Sequence, residues 1–146
     1  MPEPAARTDP FLAFRYEVQL DDLPVAGFSE IGGLALETQV MDYPEGGLNS
    51  HVHKLPGRTQ QQPLVLKRGI VDRELWRWYW DVTQGVVRRR SGSVVVKDPA
   101  GGEDVLTFQF RDAFPAKWQG PELNAGQSTV AVETLELVHE GLELTG

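Results

Sequence analysis

Seven residues restrict the fold of this chain more than any others. In Phe14-Arg15-Tyr16-Glu17-Val18-Gln19-Leu20 the apolar side chains hold every even position and the polar ones every odd position. A period of two fits a strand with one face on a core and the other in water, and it fits no helix. Asp21-Asp22-Leu23-Pro24 supplies turn chemistry. Val25 to Ile31 reads as the returning strand, stopped by Gly32-Gly33. A second hairpin is predicted from Val94–Lys97 and Val105–Arg111 about the turn Asp98-Pro99-Ala100-Gly101-Gly102, because Leu106, Phe108 and Phe110 alternate with Thr107, Gln109 and Arg111. Leu64-Val65-Leu66 is a short apolar strand. Val130 to His139 is the last strand, and its apolar phase slips between Val132 and Leu135, which predicts a bulge near Glu133-Thr134.

The segments between these are less regular. Leu34 to Tyr43 is mixed, with neither face cleanly apolar nor cleanly polar, and suits a barrel wall bordering a channel. Residues 44–62 hold Gly46-Gly47, Asn49-Ser50 and Pro56-Gly57 and read as a long functional loop. Residues 113–128, with two prolines and two glycines, read as an irregular connection. One helix is predicted over about 72–84, capped by Asp72 and stopped by Gly85. Its apolar stripe is Leu75, Trp76, Tyr79, Trp80 and Val82, with Trp78 pointing away, and it needs a sheet to lie on. The expected fold is therefore mainly β with one α-helix: a small β-barrel or sandwich over residues 11–146. A flexible, proline-rich arm, residues 1–10, precedes it. Strands of mixed polarity leave edges, and exposed edges aggregate unless paired or covered. Pairing between copies around a closed ring removes them.

Charge is unevenly distributed. Residues 1–66 carry 4 basic and 9 acidic side chains, residues 67–97 carry 8 and 3, and residues 98–146 carry 2 and 9. The net charge of −7 argues against a nucleic-acid wrapper, since phosphate contacts require many Lys and Arg. A basic middle between acidic ends lets one copy present a positive face to its neighbour's negative face, or is solvated surface. No cysteine is present, so there is neither a disulfide framework nor a thiolate metal site, and a cytosolic origin is the simplest expectation. Residues 1–10 contain no apolar core of a secretory signal, and no run approaches a membrane span.

A search for chemistry returns little. His51 and His53 share a face if the segment is a strand, but no third ligand stands at a familiar spacing. No Gly-x-Ser-x-Gly elbow occurs, and neither Gly32-Gly33 nor Gly46-Gly47 continues into a phosphate loop. Arg88-Arg89-Arg90 reads as a polyanion contact, as a set of salt bridges to an adjoining subunit, or as solvated surface. No catalytic residue, metal or cofactor is expected.

The ordered set of local motifs resembles one family. Asp9-Pro10-Phe11-Leu12-Ala13-Phe14-Arg15-Tyr16-Glu17-Val18 and Ala26-Gly27-Phe28-Ser29-Glu30-Ile31-Gly32-Gly33-Leu34 resemble the opening of tail tube proteins of contractile phages and related contractile injection systems. Tyr43-Pro44-Glu45-Gly46-Gly47 and His53-Lys54-Leu55-Pro56-Gly57 resemble that family's central loop. Leu66-Lys67-Arg68-Gly69-Ile70, Phe114-Pro115-Ala116-Lys117-Trp118 and Val132 to Leu142 resemble later segments in the same order. The resemblance implies a structural subunit: hairpins extended into a ring-wide shared barrel, hexameric rings stacked into a hollow tube, and no enzymatic activity. The implied partners are further copies of the chain, a contractile sheath, baseplate or hub and cap proteins, and a luminal protein cargo or DNA, without membrane anchoring. Assembly is expected in the cytoplasm, in a particle that is released in some systems. A tube-initiating or cap adaptor ring is the alternative. The candidate contacts between subunits or rings are Glu37, Gln39, Tyr43, Glu45, His51, His53, Lys54, Arg58, Arg88, Arg89, Arg90, Leu106 and Phe108.

Overall fold

A computed structural model of the chain describes residues 14–44, 52–68, 72–100, 102–126 and 132–146. The proline-rich arm, Glu45 and His51 lie outside the described residues. In chain order the elements are β1 (Arg15–Leu20), β2 (Ala26–Phe28), β3 (Glu30–Gly32), β4 (Leu36–Tyr43), β5 (His53–Gln61), β6 (Leu64–Arg68), α1 (Arg73–Thr83), β7 (Arg90–Lys97), β8 (Asp104–Gln119), β9 (Glu133–Val138) and β10 (Gly141–Leu144). The fold is mainly β with a single helix among the described residues, and every strand pairing is antiparallel.

The main sheet runs β2-β1-β7-β8-β9-β6-β3, with β10 also on β8. Its two terminal strands, β2 and β3, are consecutive in the chain with only Ser29 between them. The strip must therefore curl back toward its own start. The corner is fastened to β6, because both the amide (2.9 Å) and the hydroxyl (3.1 Å) of Ser29 donate to the Lys67 carbonyl. No ladder joins β2 to β3, so the sheet curls without closing.

Alternation assigns the faces. Val18, Leu20, Val94 and Phe110 point inward with Leu64, Leu66, Leu135 and Leu137 from the other half of the strip. Burial of each such side chain contributes about 1.5–3 kcal/mol, so this cluster is the main favourable term for the body. On the opposite face Gln19, Ser93, Gln109 and Glu143 lie in register across β1, β7, β8 and β10 and form a polar band.

The spine of the sheet is β8. Its sixteen residues span about 50 Å if extended. Residues 104–113 pair with β7, and the other edge carries β10 and then β9. The registers Arg111↔Gly141 and Phe114↔Val138 lie on one line, so β9 and β10 act as a single partner strand broken at His139-Glu140. Opposite that break, Asp112 adopts a left-handed backbone (φ 53°), which Asp tolerates better than most residues. The register on this edge shifts further along, between Pro115 and Lys117.

Helix α1 starts at Asp72, whose carboxylate accepts from the amides of Glu74 (2.8 Å) and Leu75 (3.3 Å), and it stops before Gly85 at φ 86°. The buried Glu133 joins this helix start to the sheet. One carboxylate oxygen accepts from Trp118 Nε1 at 2.7 Å and the other from the Asp72 amide at 3.3 Å. Arg68, the cross-strand neighbour of Glu133, donates to Asp72 Oδ2 at 3.0 Å.

Four expectations need correction. Most of the predicted 44–62 loop is strand β5, paired with β4. Residues 113–119 continue β8 instead of forming an irregular connection, with Pro115 absorbed at the register shift. The bulge lies in β8 and not at Glu133-Thr134, because Glu133, Leu135 and Leu137 all face inward and β9 keeps an even register with β6. In α1 the buried side chains are Leu75 and Trp78, whereas Trp80 is half exposed and stacks on Trp76 (5.6 Å). Trp78 turns inward because its Nε1 donates to the Arg88 carbonyl (2.7 Å) and its ring lies under Arg90.

Removing the buried Glu133 carboxylate strands two partly buried donors. Glu133→Ala is expected to cost about 3 kcal/mol, while Glu133→Gln, which keeps one acceptor, costs clearly less. Denaturant unfolding of the two variants measures the difference.

Candidate assembly surface

Strands β4 and β5 form a separate two-stranded sheet that no other described strand joins. Every residue of β4 is exposed, and in β5 only Gly57 and Gln61 are partly covered. At its root the arm is set rigidly. Gly33 has φ 84°, and a Cβ there would lie 1.8 Å from the Pro63 carbonyl oxygen, so no other residue fits without displacing the backbone. The buried His139 bonds through Nε2 to the Gln62 carbonyl at 3.0 Å, and the Gln62 amide donates to Ala35. Beside this root an open groove of about 660 Å³, lined by Leu36, Glu37, Gln62, Pro63 and Glu136 among others, separates the arm from the body.

The register defines the two faces of the arm. Leu36, Thr38, Val40 and Asp42 share one face with Lys54, Pro56, Thr59 and Gln61. Glu37, Gln39, Met41 and Tyr43 share the other with His53, Leu55 and Gln60. Gly57 and Arg58 together stand opposite Gln39 in a bulge. The first of these faces is held by polar contacts in water: Thr38 and Thr59 hydroxyls bond at 2.9 Å, and Lys54 donates to Asp42 at 2.6 Å. Such exposed pairs contribute under about 1 kcal/mol. Both faces also expose large apolar groups, with Val40 at 64 % and Met41 at 59 %. A lone hairpin in water is marginal at best. The arm therefore has the composition of a surface awaiting a cover.

The predicted contact residues divide into separate groups. Glu37, Gln39, Tyr43, His53, Lys54 and Arg58 are together on the arm. Glu45 and His51 lie outside the described residues. Arg88 is exposed. Arg89 pairs with Glu140 (3.3 Å), donates to the Asp112 carbonyl and covers the Phe114 ring (4.9 Å). Arg90 is buried over the Trp78 ring at 5.0 Å, and burial, helped by the Arg88 charge, lowers its pKa. The arginine run is thus not one surface patch, and Arg90 is a correction to the contact set. Leu106 is partly exposed and Phe108 packs against the core. The apolar arm residues Leu36, Val40, Met41 and Leu55, all exposed, are absent from the expected set, and the mixed polarity of 34–43 carries no pattern that singles them out. Among the described residues no three His, Asp or Glu side chains gather into a cation site, and no helix is long and apolar enough to cross a membrane.

Comparison with known proteins assigns the family. The model of the T4-like virus tail tube protein gp19 family matches residues 12–143. The chain belongs to this tail tube family. Similar solved folds include the sheath-tube complex of the extracellular contractile injection system PVC in its extended state (23 % identity, TM-score 0.78, covering 93 % of this chain and 90 % of that one). The six-fold symmetrised baseplate of the anti-feeding prophage (AFP) is similar at 24 % identity and TM-score 0.80, covering 96 % and 98 %. Hcp1 from Flavobacterium johnsoniae is more distant, at 12 % identity and TM-score 0.57, covering 91 % and 96 %. Among curated proteins none is similar enough in sequence to match. The tail tube family is a structural one.

At the arm root, Gly33→Ala is expected to cost at least about 2 kcal/mol, whereas Asp42→Ala costs under about 1 kcal/mol. Thermal unfolding of the two variants side by side checks the contrast.

Proposed function

We propose that this chain is the repeating subunit of the inner tube of a contractile injection apparatus. In this reading six copies close a ring, rings stack into a hollow tube, and a sheath surrounds it. The observation that carries the reading is the arm, which exposes apolar groups on both faces and has no cover within its own described chain. Family membership supplies the setting, and the similar folds come from sheath-tube, baseplate and cap assemblies. A neighbouring copy on the arm buries Val40, Met41, Tyr43 and Leu55 at once, which favours association through the hydrophobic effect. The role is mechanical and involves no catalysis. Contacts that combine main-chain pairing with packed side chains resist axial load. The net charge of −7 disfavours adhesion of DNA to the wall, so either DNA or a protein cargo can pass. Assembly takes place in the cytoplasm and the finished particle acts outside the cell.

The similar folds in the AFP baseplate (TM-score 0.80) and cap (TM-score 0.79) support a second reading, a ring that initiates or terminates the tube. Stacking separates the two readings. Negative-stain microscopy of purified protein, alone and with its baseplate, should show six-fold rings and hollow tubes many rings long. One layer that never grows favours the adaptor. A monodisperse monomer at high concentration, with baseplate present, contradicts both. In the same assay Val40→Asp should lower the assembled fraction at least about tenfold while leaving monomer stability within about 0.5 kcal/mol, since the site is exposed in the single copy.

A further inference from the structure

We propose that the outward face of α1 is a docking site for the proline-rich N-terminal segment, residues 1–13, of a neighbouring copy. The inference rests on the self-assembly reading above and adds a contact separate from the β4–β5 arm.

The face is built from α1 and one residue of β8. Arg73, Trp76, Arg77 and Trp80 are spaced by three and four, so they share one side of the helix, opposite the buried Leu75 and Trp78. Trp76 is the centre of an aromatic cluster. Trp80 stacks on it at 5.6 Å, Trp118 meets it edge-on at 4.6 Å, and Tyr79 lies at 6.3 Å. The rings hold one another in place, yet Trp80 keeps 49 % of its surface exposed. Arg73 and Arg77 are exposed beside them, and among the described residues neither belongs to an ion pair. A fixed aromatic platform with an unneutralised cationic rim fits an occupant that brings rigid apolar rings together with acidic groups.

Residues 1–13 have that chemistry. They contain Pro2, Pro4 and Pro10, the acids Glu3 and Asp9, and a single base, Arg7. Proline-rich segments dock on aromatic surfaces in the polyproline II conformation, which is ordered beforehand and so loses little entropy on binding. That conformation has three residues per turn. Pro4, Arg7 and Pro10 would then share one side, and Glu3, Ala6 and Asp9 the next. The first set presents two proline rings and a guanidinium to the aromatic faces, and the second presents carboxylates to Arg73 and Arg77.

The direction of β1 favours a neighbouring copy as the donor. At the far end of β1, Leu20 and the following Leu23 line a small cavity with Glu74 and Leu75 at the start of α1. Arg15 at the near end lies one strand length away, about 20 Å, and the chain enters β1 there running toward α1. The preceding segment therefore starts on the side remote from its own helix. At about 3.1 Å per residue its thirteen residues reach about 40 Å, enough to cross onto a second copy stacked end to end.

Disulfide trapping tests this, because the chain has no cysteine of its own. Ala6→Cys and Gln84→Cys, the second one turn beyond Trp80, are made in separate full-length preparations, so that a link between positions 6 and 84 forms only between copies. The two are mixed, assembled and oxidised, and linked peptides are quantified by mass spectrometry while negative stain records the particles. The expected result is a 6–84 link at least about tenfold more abundant in assembled than in dispersed protein, falling at least about fivefold when Trp80→Ala is added to the Gln84→Cys chain. Assembled particles without that link, or with a link that Trp80→Ala leaves unchanged, overturn the docking site and leave the tube reading standing. A double variant, Ala6→Cys with Gln84→Cys, that links within single dispersed copies overturns the assignment to a neighbour. Failure to form any ring overturns the tube reading and this inference with it.

Discussion

Main-chain hydrogen bonding governs this molecule, and the chain meets that demand in two different ways. In the body, β8 satisfies it internally. One long strand serves β7 along one edge and the β9-β10 run along the other, and the remaining strands follow in order from there. The curl of the sheet, the position of the helix and the polar band across Gln19, Ser93, Gln109 and Glu143 all depend on that arrangement. In the arm, β4 and β5 pair with one another, and among the described residues no other strand joins them. The body buries a continuous apolar core, whereas the arm leaves large apolar side chains exposed on both faces.

The joints between these parts are polar and buried. Glu133 ties the start of α1 to β8 through Trp118 and the Asp72 amide, and His139 ties the arm root to the end of β9. A tube wall under axial load needs such fixed points, since a displacement at the arm root carries along the full length of the hairpin. Gly33 serves the same end by allowing the chain to pass against Pro63 where any side chain would collide.

The regular parts of this architecture were legible in the amino-acid sequence. Strict alternation marked β1 and the first half of β8, and the Asp72 cap and Gly85 stop marked the helix, but the expected returning strand Val25–Ile31 is divided at Ser29, with Glu30–Gly32 paired to β6. The losses have a common cause: residues that usually end strands were placed at irregularities within them. Pro56-Gly57 concealed β5, and Pro115 concealed the second half of β8, because a bulge accommodates what an even ladder does not. Glu133 broke the apolar phase of β9 because a buried carboxylate reads as a surface residue until its two donors are known. Trp78 was turned the wrong way because the Arg90 guanidinium and the Arg88 carbonyl, both beyond the helix, decide its direction. The expected contact set named mainly charged and polar arm residues, whereas the arm also exposes Leu36, Val40, Met41 and Leu55, and Arg90 is buried.

The central claim is that the β4–β5 arm is completed only by another copy. A cryo-electron-microscopy reconstruction of the assembled protein, resolved well enough to trace residues 36–43 and 53–61, tests it most directly. The account predicts that the arm lies between subunits, with Val40 and Met41, now 64 % and 59 % exposed, largely buried by a neighbouring chain. An arm that remains in solvent within an otherwise complete tube, or that folds back onto its own body, would contradict it.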